Sequence, residues 1–515
     1  MKRTLCFFMT LVILLGICGC AQDAPAGTTA PEGTATTEPV MEDKGYERIL
    51  TQADLDNIPL ATDSMSKAEL RQICQNFLLM QLSIYWKPDM DITFLTTNYK
   101  KGTPKDLTTD TQYAGIVYHS KGFGNLYRMM EYYDEQTGIF AMEQFLADNG
   151  GYGEGAAVAD VETDANGNVT YQKYRSLMTL GNQCTSATCW SWGRTINSVA
   201  FGDTKDLTAA NGLIPVGCYT YGYTRDGITY GLLDIKEFGE ESNSNPIGYD
   251  TTDVISDWNR ENGHDAMFKC YAQLKPGDLL VDPGHALMVE SVNLYKTKDG
   301  EVSFDMSSIT VNEQIEAWHY QGERDGVPFK QQGGVHRSYS FKALQEAGYI
   351  PFTFPELLDE NDPQDKKHLD YYRSYADQLT CIKDLYQVFP EGAEACGIGI
   401  EEAVTYCNYD GDTITLTDFE KMVVGSNYSI SDVFVTVTDK DGSEVLKNIY
   451  RSDFSSYREI PMTSQKCTWE QDAEGNYLTV CDGLAELATG EYTVTVTMRV
   501  STGQLLTAYS GTLTK

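Results

Sequence analysis

Apolar residues recur at helical spacing through residues 66–85, where Leu70, Cys74, Phe77, Leu78 and Leu82 share one side. This pattern predicts a helix, with Asp63, Ser64 or Ser66 available as its cap. The whole of 42–99 reads as a mostly helical lead-in that packs on the domain after it. Residues 113–118 (Y-A-G-I-V-Y) form a strand-like run ahead of Gly122 and Gly124, and 126–145 predict a helix broken near Gly138. Asn166-Gly167 sits between strand-forming residues at 161–174, a hairpin signal. A calcium loop is the competing reading there, but Lys173 occupies the place of the bidentate glutamate. A helical run follows Trp190 and Trp192, and another covers 265–274. Three strands then follow, at 275–281, 285–292 and 308–313, separated by the turns Asp282-Pro283-Gly284 and Lys298-Asp299-Gly300.

Helices first and an antiparallel meander later make the fold class α+β. Beyond a charged helix at 362–388 the pattern changes to period-two strands at 413–416, 432–438, 476–481, 492–500 and 505–513. Their spacing predicts a C-terminal β-sandwich of Ig-like type. The expected organisation is therefore a helical lead-in plus α+β domain over 42–358, a helical connector over 359–399 and a β-domain over 400–515. Within the β-domain, Cys467 and Cys481 flank a turn centred on Glu474, so a hairpin there sets the two cysteines opposite each other as a disulfide candidate.

The N-terminus changes the picture. Lys2 and Arg3 precede an apolar run at 11–17, too short to span a bilayer, which marks a signal peptide over 1–19. Ile17-Cys18-Gly19-Cys20 resembles a bacterial lipobox, which implies lipidation of Cys20 as the mature N-terminus; Ile17 is too bulky to precede a cleavage at Cys18. Residues 20–41, rich in Ala, Thr, Pro, Glu and Gly, form a flexible linker. The expected location is the extracellular face of a bacterial membrane, held by lipid alone. A net charge of −35 excludes a nucleic-acid partner. Ten of the 13 cysteines remain with free thiols once Cys6 and Cys18 are removed and Cys20 is lipidated, and export permits them to pair.

Candidate chemistry centres on residues 181–194, G-N-Q-C-T-S-A-T-C-W-S-W-G-R. A helix starting at Cys189 would favour a thiolate there through its positive end. A cysteine nucleophile needs a base and a group to orient it. Of six histidines, His285 is the candidate base, opening an apolar strand (Ala286, Leu287, Met288, Val289) directly after a glycine. The orienter is Glu313 or Asn312, which strand alternation sends to opposite faces, Glu313 with Ile309 and Val311. Cys184 is a competing thiol, and Cys184, Cys189 and His285 are the one zinc-type ligand set weighed against it. No cofactor motif is present.

Gln183 followed six positions later by Cys189-Trp190 resembles the papain-like cysteine peptidases, where that glutamine helps bind the oxyanion. The run Cys189-Trp190-Ser191-Trp192-Gly193-Arg194 looks like the nucleophile segment of CHAP amidases, some of which instead use Gln-Cys-Thr, as at Gln183-Cys184-Thr185. Gly277-Asp278-Leu279-Leu280 and Gly284-His285-Ala286-Leu287 are similar to segments of the CHAP and NlpC/P60 families. The resemblance covers 177–339. It implies a papain-like fold, catalytic residues Cys189, His285, Gln183 and either Glu313 or Asn312, and hydrolysis of peptide or amide bonds, mostly in peptidoglycan. A cell-wall peptide or glycan is then the expected partner. The alternative is a non-catalytic surface lipoprotein that binds wall glycan or a protein through the same domains.

Overall fold

A computed structural model describes residues 49–96, 104–148, 179–197, 259–375, 400–451 and 483–515, with shorter runs between them. The expected signal peptide, the expected linker and the expected lipidation site Cys20 lie outside the described residues. The chain is α+β. Among the described residues no helix is long and apolar enough to cross a membrane.

Two hydrophobic cores organise it, one built from residues between Leu50 and Ile400, the other from residues between Ile414 and Leu513. At the centre of the first lies α1 (Lys67–Ser83), which Ser66 caps through a reciprocal bond with Glu69. Nearly every face of α1 is covered, so its polar side chains are spent on neighbouring backbone. Gln75 Nε2 donates to the Val289 carbonyl (2.6 Å), Gln81 Nε2 to that of Ala187 (3.0 Å), and Arg71 pairs with buried Asp278 (2.7 Å). The expected lead-in is therefore part of the domain core, and only in part helical: Tyr85–Pro88 and Ile92–Leu95 are strands. Likewise 126–145 breaks earlier than its pattern suggested, into Leu126–Met130, a short hairpin (Tyr133–Asp134 with Ile139–Phe140) and Met142–Asp148.

Against α1 packs α2 (Cys184–Gly193), and both lie on a six-stranded sheet. Its strands are β1 (Ile214–Pro215), β2 (Leu279–Asp282), β3 (His285–Lys296), β4 (Val302–Gln314), β5 (Gly333–Ser340) and β6 (Ile350–Thr353), in the order β1-β6-β2-β3-β4-β5, all antiparallel. The described part of the expected connector, the helix Pro363–Tyr375, docks on this core through Leu369 rather than standing apart.

The second core lies between a three-stranded sheet (Thr405–Cys407, Val423–Ser426, Glu459–Pro461) and a five-stranded one. The latter contains β7 (Thr413–Ile414), β8 (Ile430–Thr438), β9 (Glu444–Arg451), β10 (Glu491–Val500) and β11 (Leu505–Thr514), in the order β7-β11-β10-β8-β9. A hairpin of Lys466–Gln471 with Tyr477–Thr479 does form, but a register shift sets Lys466 opposite Thr479. That shift takes Cys467 and Cys481 out of direct register, and the Cys481 thiol donates to the Met462 carbonyl (3.6 Å).

The two cores are joined by buried charge. Asp432, fully buried, accepts from Arg128 Nε (2.9 Å), Arg451 Nη1 (3.1 Å) and Arg499 Nη1 (3.2 Å), while Glu131 takes the remaining donors of Arg451 (2.6 Å) and Arg499 (2.5 Å). Burial alone would raise the Asp432 pKa; three guanidiniums hold it far below the usual carboxylate range.

Candidate active site

Helix α2 begins five residues earlier than the pattern of its sequence suggested, and the reason is local. Gln183 is extended (φ −120°, ψ 177°), and the Ser186 hydroxyl accepts its backbone N–H (2.8 Å) while donating to the Gly122 carbonyl (2.8 Å). Ser and Thr are indifferent helix formers, which argues for a later start; here Ser186 turns back as part of the cap. Cys184 is thus the first helical residue, where backbone N–H groups lack intrahelical acceptors and the helix dipole is positive.

Cys189 lies inside the helix and is fully buried. Five residues on from Cys184 at about 100° per residue, it points roughly 140° away around the axis. The tryptophans after it are anchors. Trp190 Nε1 donates to the Phe123 carbonyl (3.1 Å), Trp192 Nε1 to that of Gly277 (2.9 Å), and Trp192 packs on Phe354 (ring centroids 5.0 Å apart). The Cys-Trp signature therefore marks a packing face, and the thiol that meets the imidazole is that of Cys184.

His285 opens β3 opposite Asp282, whose carboxylate accepts the Gly284 N–H (2.7 Å) and sets the turn. Its Nε2 meets Glu313 Oε2 at 2.5 Å, and the Cys184 side chain also acts on the ring, raising its pKa. With Nε2 taken by the carboxylate, Nδ1 is the nitrogen left for sulfur. The ring retains 22 % exposure, so the site opens to solvent at the imidazole. Register explains the meeting with Glu313: Met288 pairs with Asn312, so Leu287 stands opposite Glu313, with His285 diagonal to it on the same face.

The same alternation turns Asn312 to the other face. There its Nδ2 donates to Glu290 Oε2 (3.2 Å) and its Oδ1 accepts from the His336 backbone N–H (3.0 Å). Between the two candidate orienters, Glu313 is the one on His285.

Glu313 is itself held from β5, by the Tyr339 hydroxyl (2.7 Å) and Arg337 Nη1 (2.8 Å), both on Oε1. Burial would raise its pKa, but the His285 and Arg337 charges and the Tyr339 hydrogen bond bring it below the ordinary value. For His285 burial acts downward; the Cys184 and Glu313 side chains outweigh it and raise the imidazole well above its usual value. The arrangement therefore favours a charged imidazolium held between sulfur and carboxylate.

Sequence reasoning did not reach the second layer. Residues 117–124 lie directly on 180–182: Asn182 N–H donates to the Val117 carbonyl (3.0 Å), and Gly124 N–H to that of Gly181 (2.7 Å). A Cβ on Gly124 would fall 1.7 Å from the Leu180 oxygen, and one on Gly122 2.2 Å from the Gly181 oxygen, so only glycine permits this approach. Tyr118 and Tyr349 both feel the Cys184 charge, and burial foremost raises both phenols. Gly122 and Gly124, two glycines after an apolar run, were the available signal.

Gln183 is buried, and its Nε2 has no hydrogen-bond partner, a costly state for a donor one residue from the thiol. Among the described residues no group of three or more metal-ligating side chains converges, so Cys184, Cys189 and His285 do not form a zinc-type cluster. No protein-family model, no curated protein and no solved structure matches this chain.

Proposed function

We propose that this chain is a cysteine hydrolase, a peptidase or amidase, in which Cys184 is the nucleophile, His285 the general base and acid, and Glu313 the group that orients the imidazole. The observation that carries this reading is His285 bonded to the Glu313 carboxylate while the Cys184 side chain, at the helix start, acts on the same ring. Such a constellation serves one kind of chemistry well. The thiolate attacks a carbonyl carbon and the C–N bond breaks as His285 gives its proton to the leaving amine. Water, deprotonated by the imidazole, then cleaves the thioester to acid and free thiol. The Cys184 backbone N–H and the unsatisfied Gln183 Nε2 are the donors proposed for the oxyanion. The order Cys, His, acid along the chain, a helix N-terminus facing an antiparallel sheet and the Gln-Cys-Thr run support a papain-like domain of CHAP or NlpC/P60 type. Two sheets about one core support a C-terminal β-sandwich.

With the signal-peptide and lipobox pattern, the reading extends to a surface-anchored lipoprotein acting on cell-wall peptide or amide bonds. Digestion of purified wall material tests it: new amino termini should appear with the native chain and vanish with Cys184→Ala. A non-catalytic binding role is favoured by one observation, that Cys184 is only 6 % exposed. Wall material bound equally by both proteins, with no new termini, would establish that reading instead.

A further inference from the structure

Away from the thiol, at the opposite end of α2, a cleft of about 490 Å³ opens between the segment 52–60, Tyr127 and the start of β11. This volume is inside the ~300–1,000 Å³ range of small-molecule sites. Among the described residues, two buried polar groups in its wall have no partner. Arg194, the residue capping α2, is 6 % exposed and gives Nη2 to the Ile58 carbonyl (2.7 Å), while its Nε has no acceptor. The Tyr127 hydroxyl, also buried, has no partner either. A buried guanidinium that meets no carboxylate is costly unless an anion completes it. Arg499, by contrast, is already neutralised by Glu131 and Asp432.

What is missing is therefore one acceptor-rich negative charge within reach of a guanidinium and a phenol. A carboxylate fits that shape and charge. Asp56 and Glu131 also line the cleft and would repel a polyanion. Apart from Gln52 and Gln504, the rest of the wall carries no polar side chain, and Leu60 and Leu505 stand exposed at its rim. We propose that this cleft binds a monocarboxylate with an apolar body, its carboxylate held by Arg194 and Tyr127 and its body lying against Leu55, Leu60 and Leu505. A free aliphatic acid and the C-terminus of a peptide ending in an apolar residue share this chemistry. The proposal is independent of the thiol site.

Titration calorimetry on the purified full chain tests it with octanoate, N-acetyl-L-leucine and, as neutral control, N-acetyl-L-leucinamide. At least one acid should bind saturably while the amide does not; tighter octanoate points to a lipid-derived acid, tighter acetyl-leucine to a peptide terminus. Tyr127→Phe removes a hydroxyl with no internal partner among the described residues, so the fold should persist while acid affinity falls roughly ten- to a hundredfold, as for one hydrogen bond to a charged group. Arg194→Gln should abolish binding. Acid and amide binding alike, neither acid binding, affinity unchanged in Tyr127→Phe, or inorganic phosphate competing at equal strength would overturn the assignment.

Discussion

Two buried charge clusters share this molecule, and they are built for different ends. At the joint between the cores, Arg128, Arg451 and Arg499 surround Asp432 and Glu131. Each contact among them joins opposite signs. At the end of β3 the cluster is a thiol, an imidazole and a carboxylate, with the imidazole partly in solvent. Its central member carries a proton that it can hand on. The first cluster holds pieces together through opposed charges; the second suits chemistry because its middle carries a transferable proton.

The sharpest way to break the comparison is at sulfur. Cys184→Ala should abolish amide cleavage, whereas Cys189→Ala should keep it and lose stability, since a buried side chain is truncated inside α2. Activity assays with melting curves on both variants separate the roles, and the reverse pattern would return the nucleophile to Cys189. Next in size, Arg128→Ala should destabilise by about 3–5 kcal/mol, the usual cost of leaving a buried partner charge unpaired; denaturant titration measures it. Loss below about 1 kcal/mol would show that Arg451 and Arg499 suffice for Asp432.

Glu313→Gln keeps an acceptor for His285 but removes its counter-charge. Amide cleavage should fall by roughly 10²-fold, the lower end of acid–base contributions, and the acid-side titration of Cys184 alkylation by iodoacetamide should shift. An unchanged rate and profile would remove Glu313 from the mechanism.

The smallest effect expected is in stability against pH. The Asp432 pKa is depressed on folding, so its contribution is present above its ordinary value of 3.8 and is lost as pH falls below it. His285 has the opposite sign. Its pKa is raised, so its contribution is complete below its ordinary 6.5 and is lost as pH rises through the folded value. Melting curves from pH 3 to 9 should lose the acid-side drop in Asp432→Asn and the alkaline-side decline in His285→Ala. If both variants keep both slopes, other groups control them.

Much of this was legible in the chain. Strand alternation alone sends Glu313 and Asn312 to opposite faces, and the turn after Asp282 sets His285 at a strand start, because both depend on neighbours in sequence. The start of α2 was not legible, because Ser186 caps it through a carbonyl, that of Gly122, far away along the chain. Nor was the role of α1: its spacing gives a helix, but only the arrangement of Gln75, Gln81 and Arg71 against remote backbone shows it at the centre of a core. What the two tryptophans of the Cys-Trp run hold was not legible either, since their N–H groups reach the Phe123 and Gly277 carbonyls, both remote in sequence.

The β-domain also reaches α2 directly. Ser501 donates to the Gly193 carbonyl (2.8 Å) at the end of that helix, and Asn125, next to the glycines that support its start, donates to Ser431 (3.0 Å). Both ends of the element bearing Cys184 are thus tied to the second core, one directly and one through Asn125. Loosening that core therefore slackens both moorings of α2 at once, so the two cores share one mechanical fate.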